Sequence, residues 1–140
     1  MASRDIVLAF VRNMAELTAA VTRATRDDTG GDDIWSLVTA ANQRRVPRER
    51  ELPDGLRYSV HGAGCLITAP DGTQIDVDLG PEPPTLQFNA WRVRRFAEST
   101  GENSVTEREL AAALEQLADE GAVASLPTTH DAWYTAVRAH

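Results

Sequence analysis

The chain has 140 residues, 42% of them hydrophobic and 25% charged, with a formal net charge of −7, enough for one domain spanning residues 1–140 to bury its own core. A single cysteine excludes an internal disulfide framework, and the acidic balance excludes a surface built to bind nucleic acid. No apolar run approaches the roughly 18 residues of a membrane span, and the first, Ile6–Val11, carries no signal-type flank, so a cytoplasmic protein without membrane contact is expected.

In chain order, Val7, Phe10, Met14, Leu17 and Val21 recur at three- and four-residue spacing, which predicts a helix over Asp5–Arg26 with one apolar stripe. Thr29-Gly30-Gly31 ends it, and Asp32 or Asp33 caps a second, shorter helix. That helix has an apolar face of Ile34, Trp35, Leu37, Val38 and Ala41. Gln43–Gly55 is polar and holds Pro47 and Pro53, so it reads as an exposed connection. Its Arg44, Arg45, Arg48 and Arg50 stand beside Glu49 and Glu51, a mixed-sign solvated loop with a partner-binding patch as the second reading.

A three-stranded antiparallel meander follows, at about 56–61, 64–69 and 73–79. Leu56, Tyr58 and Val60 alternate with Arg57, Ser59 and His61. Pro70-Asp71-Gly72 predicts a three-residue hairpin loop that pairs Ala69 with Thr73. The register then sets Ile67 opposite Ile75, Leu66 opposite Asp76, Cys65 opposite Val77 and Gly64 opposite Asp78. A tight turn at Gly62-Ala63 pairs Val60 with Cys65 and His61 with Gly64. Both registers put Tyr58, Val60, Cys65, Ile67, Ile75 and Val77 on one apolar face, and Ser59, His61, Gly64, Leu66, Asp76 and Asp78 on the other.

Beyond the meander, Pro81, Pro83 and Pro84 hold the chain extended. Asn89 caps a helix to about Glu98, anchored by Trp91 and Phe96. Ser104 and Glu107 read as a capping box for a helix with Leu110, Ala113, Leu114 and Leu117 inward and Gly121 at its end. A last helix is expected from about His130, carrying Trp133, Tyr134 and Val137. The fold class is therefore α+β: two N-terminal and three C-terminal helices packed on the meander.

The polar face of the meander carries the candidate chemistry. Cys65 points to the core, where a thiol acts as a small apolar group. His61 and Asp78 flank Gly64, which leaves a gap between an imidazole and a carboxylate, and they are the candidate acid/base pair. Asp76 and Asp78 lie on one strand face, with Arg92, Arg94 and Arg95 of the following helix as candidate partners. No HExxH, CxxC, phosphate loop or nucleophile elbow occurs, so neither metal nor cofactor is expected. The helix after Ser104 exposes acidic groups, with Arg108 its sole base, which excludes a DNA-recognition helix.

His61-Gly-Ala-Gly-Cys65, Ile75-Asp-Val-Asp-Leu-Gly80 and Phe88-Asn-Ala-Trp-Arg92 resemble an uncharacterised family of small bacterial proteins. That family has a His-Gly-x-Gly-Cys motif, a strand with spaced aspartates and a Trp-Arg helix. The resemblance covers Arg57 to about Phe96 and brings no activity with it. By analogy with other small acidic proteins of this kind, it implies an immunity partner of a secreted toxin. The expected function is an acidic protein-binding module that occludes a basic partner through His61, Gly64, Asp76, Asp78, Trp91 and Arg92, with Trp35 as a further anchor. The alternative is a small enzyme or ligand-binding protein working through His61 and Asp78.

Overall fold

The computed structural model describes residues 3–79, 85–102, 104–127 and 132–137. Helix α1 (Ser3–Thr29) is longer than the apolar stripe requires, because the buried face continues from Val21 through Thr22, Thr25 and Thr29. The Thr25 hydroxyl donates to the Val21 carbonyl at 2.9 Å and that of Thr22 to Ala19 at 3.0 Å, so these polar groups enter the interior with their bonds made. Helix α2 (Ile34–Asn42) begins at Asp33, whose carboxylate accepts from the Ser36 amide at 2.9 Å. Ile34, Leu37, Val38 and Ala41 are buried as expected, but Trp35 is 38% exposed. A helix of this length has one covered stripe, and Trp35 falls beside it.

The meander is the centre of a larger sheet. Strands β2 (Arg57–His61), β3 (Gly64–Thr68) and β4 (Gln74–Leu79) pair antiparallel in the register expected, from Val60–Cys65 and His61–Gly64 to Gly64–Asp78 and Ile67–Ile75. The Ala69 amide donates to the Thr73 carbonyl at 2.8 Å, and Gly72 takes φ +90° to close the loop. Gln43–Gly55 is not simply an exposed connection. It contains β1 (Glu49–Glu51), paired with β2, and it buries Val46 and Leu52. An edge strand with one open side needs no apolar alternation, and so left no period-two signal.

The C-terminal half departs furthest from expectation. After β5 (Leu86–Phe88) come α3 (Ala90–Ser99), α4 (Glu107–Asp119), β6 (Val123–Leu126) and β7 (Trp133–Ala136). The described residues thus hold four helices and a seven-stranded sheet in the order β1-β2-β3-β4-β5-β7-β6. The expected last helix is a strand instead: β7 inserts between β5 and β6, with Phe88 opposite Tyr134 and Leu126 opposite Trp133. Trp-Tyr-Thr-Ala-Val is rich in strand-forming side chains, and two flanking partners outweigh its weak helical spacing. His130, Gly80 and the prolines at 81, 83 and 84 lie outside the described residues.

Asn89 caps α3 as expected, through its side-chain oxygen and the Arg92 amide at 3.0 Å. The cap of α4 is Thr106, not Ser104: the Glu109 amide donates to Thr106 Oγ1 at 3.1 Å. Thr106-x-x-Glu109 repeats the capping pattern two residues on, and it sets Val105 and Leu110, both buried, at the positions that pack across a helix start. The core gathers where Phe10 meets Phe88 at 5.3 Å and Phe96 at 5.6 Å, with Tyr134 6.3 Å from Phe88. α1, α3, β5 and β7 thereby share one aromatic cluster. α1 and α2 cover the apolar face of β2–β4, while α3 lies beside β4.

Candidate functional site

The face of β2–β4 that points away from α1 alternates polar groups with the buried ones: Ser59, Leu66, Asp76 and Asp78 are half-buried, and Arg57, His61 and Gln74 exposed. Two depressions meet on it. One, of about 490 Å³, extends from Glu49 and Glu51 past Ser59 and His61 to Leu66 and Gln74. The other, of about 180 Å³, runs from Leu66 and Gln74 past Asp76 to Trp91, Arg92 and Arg95 of α3. Shared at Leu66 and Gln74, they make one surface across the sheet.

Arg92 organises its α3 side. Its guanidinium pairs with Asp76 and lies 2.6 Å from Asp78 Oδ2. The same guanidinium stands 5.9 Å from the Trp91 ring centroid and 5.7 Å from that of Trp133. Its side chain is only 16% exposed, so the pairing acts at reduced dielectric and exceeds a solvated surface bridge. Burial pushes the Asp78 carboxyl above its ordinary value, Arg92 pulls it back, and Asp76 pushes it up again. Of the three arginines expected to answer the aspartates, Arg92 alone does so. Arg94 forms an ion pair with Glu98 at 3.3 Å, and Arg95 stacks over Trp91 at 5.0 Å.

The space over Gly64 is also accounted for. A side chain there would stand 3.3 Å from Asp78 Oδ1 and 3.4 Å from the His61 carbonyl, so the Asp78 carboxylate occupies the gap. His61 has other company: its Nε2 lies 2.8 Å from Ser59 Oγ, which is 3.2 Å from Glu49 Oε1. His61 and Asp78 share a sheet face but have separate partners. Cys65 is buried, and desolvation pushes its thiol up to about 12. No group of three or more His, Cys, Asp or Glu among the described residues is placed to hold a metal ion.

Trp91, expected as an apolar anchor of α3, is 46% exposed. Val93, Phe96 and Ala97 make the buried stripe instead, which turns Trp91 outward beside the smaller depression. Trp133 and Glu49 are the participants that sequence reasoning missed, because the first was assigned to a helix and the second to a loop. No helix among the described residues is long and apolar enough to cross a membrane.

A family model described as a domain of unknown function (DUF6896) matches residues 4–135, from the first turn of α1 into β7. The match is wider than the Arg57–Phe96 stretch that carries the sequence resemblance. No curated protein and no solved structure matches the chain.

Proposed function

The chain belongs to the family of the domain of unknown function DUF6896, and from that footing we propose that it is a protein-binding module whose contact surface is the polar face of β2–β4 with the adjoining side of α3. The observation that carries this reading is Trp91. It is a large aromatic ring 46% exposed at the rim of a depression, with the guanidinium groups of Arg92 and Arg95 within 5.9 Å of its centroid. Partly exposed tryptophan beside arginine is the composition of interface anchors, in which both residue types are enriched. The acidic net charge and the carboxylates of Glu49 and Glu51 beside this face suit a partner with basic groups. Occlusion of such a partner, in the manner of an immunity protein, is the corresponding mechanism. We take the His-Gly-Ala-Gly-Cys run, the spaced aspartates and the Trp-Arg helix as the family's own marks of this surface.

The acid/base alternative gains less support, because Asp78 is engaged by Arg92 while His61 bonds Ser59. Affinity capture from the source organism, run in parallel with wild type and Trp91→Ala, tests the binding reading. We expect a partner held by the wild type and lost by the variant, with circular dichroism unchanged. Capture that is indifferent to Trp91→Ala, or turnover of a substrate that His61→Ala abolishes, would overturn it.

A further inference from the structure

Three helices end in the same way, and one of them breaks a pattern. α3 and α4 each close with a pair of bonds: the amide of Glu102 to Ala97 with that of Gly101 to Glu98, and the amide of Ala122 to Leu117 with that of Gly121 to Ala118. Both need a residue of positive φ just past the helix, and both use glycine, at +91° and +79°. α2 closes identically, with the Arg45 amide bonded to Ala40 at 2.8 Å and the Arg44 amide to Ala41 at 3.1 Å. Yet the residue at φ +61° is Arg44, the one non-glycine with positive φ among the described residues. An L side chain is disfavoured there, and glycine relieves it. Keeping a long cation at that position calls for a use of the side chain.

Its neighbours supply one. Arg44, Arg45 and Arg48 are exposed and line a depression of about 480 Å³ with Val46 and Pro47. None of the three has an ion-pair partner among the described residues, whereas Arg50, on the same segment, is taken by Asp28 at 2.8 Å. Glu49, the nearest acid in sequence, bonds Ser59 instead. The backbone beneath is tied down. Tyr58 Oη donates to the Pro47 carbonyl at 2.9 Å, and the Val60 amide to the Arg48 carbonyl at 2.8 Å. The result is a fixed positive island on a molecule of net charge −7.

We propose that the island of Arg44, Arg45 and Arg48 at the end of α2 is a docking surface for a short acidic segment of a protein partner. Charge complementarity selects the segment. The net negative charge of the chain opposes a long polyanion such as nucleic acid, whose field sums over many charges, but opposes less a few carboxylates within a Debye length of the island. The surface is separate from the one around Trp91 and stands or falls independently of it.

The test is binding of a fluorescein-labelled oligoglutamate peptide, followed by anisotropy at low salt. We expect Arg44→Gln/Arg45→Gln/Arg48→Gln to weaken binding about tenfold, from three exposed pairs of modest strength each. Arg12→Gln/Arg23→Gln, a pair of exposed arginines of α1, should leave it unchanged. Arg44→Gly separates binding from folding: its melting temperature rises while peptide binding weakens. No binding by wild type, equal binding by the triple variant, or tighter binding of a single-stranded oligonucleotide or of inorganic phosphate overturns the proposal. So does an Arg44→Gly protein that melts lower and binds as before, which would make Arg44 a residue of helix ending alone.

Discussion

At the scale of single residues, environment decides what each ionisable group can do. Cys65 is the only cysteine, and its position opposite Val77, under α1, deprives a thiolate of water. With its folded value at about 12 and its ordinary one at 9.0, the thiol keeps its proton in the folded chain where the unfolded chain loses it. Its contribution to stability is therefore complete below pH 9.0 and is lost as pH rises toward about 12. We expect a disulfide reagent at pH 8 to leave the native protein unmodified and to titrate one thiol once denaturant is added; rapid labelling of the native chain would contradict the burial. Gly64 shows the same logic in its steric form. Its missing side chain is the room that the Asp78 carboxylate fills, so one of the two groups that sequence alone set beside an empty gap closes it.

At the scale of elements, the links worth testing are those between helices and sheet. Arg92 joins α3 to β4 through Asp76 and Asp78. Arg92→Leu leaves two neighbouring carboxylates without their cation, and we expect a loss of about 1–3 kcal/mol at neutral pH. Asp78 holds its proton more tightly folded than unfolded, so its contribution is full below the ordinary carboxylate range and lost as pH rises through its folded value. Removing Arg92 strengthens that dependence. The deficit of the variant, measured by urea unfolding, should thus shrink as pH falls through the carboxylate range, and a deficit independent of pH would mean that packing against the tryptophans dominates. At the start of α4, Thr106→Ala should cost about 1 kcal/mol and Ser104→Ala close to nothing. The reverse order in thermal melts would return the cap to Ser104. Element starts and ends were legible where one side chain enforces them, as at Asn89 and Gly121, and left between two neighbours at Asp32 and Asp33, of which Asp33 caps α2. They were displaced where two equivalent patterns overlap, as Ser104-x-x-Glu107 and Thr106-x-x-Glu109 do.

At the scale of the whole molecule, β7 is the element on which the C-terminal half depends. It bonds β5 on one side and β6 on the other, and Tyr134 closes the aromatic cluster on Phe88. A chain ending at residue 127 leaves β6 without a sheet partner and β5 with only its short pairing to β4. We expect that truncation to abolish cooperative unfolding; a sharp transition near that of the full chain would show that the β2–β4 half folds alone. The family match into β7 agrees with a domain that includes this strand.

The amino-acid pattern by itself indicated the two hairpin turns, the full register of β2–β4 and the four helices, with a fifth that is the strand β7 instead. It also placed Cys65 inward and offered Arg92, Arg94 and Arg95 as candidate partners for Asp76 and Asp78, of which the structure selects Arg92. These follow from periodicity and turn chemistry, which act over a few residues and are written locally. Only the tertiary structure decided that β1, β5, β6 and β7 extend the sheet, that Trp91 faces outward and Trp133 stacks on Arg92, and that His61 and Asp78 have separate partners. A three- or four-residue strand has too few positions to show a period, and its hydrogen bonds go to segments far away in the chain. Which tryptophan is covered depends likewise on what packs against its helix. Of the chain's charges, the fold neutralises those at Arg50 and Arg92 and leaves Arg44, Arg45 and Arg48 free among the described residues, a division that distance in space makes and sequence spacing does not.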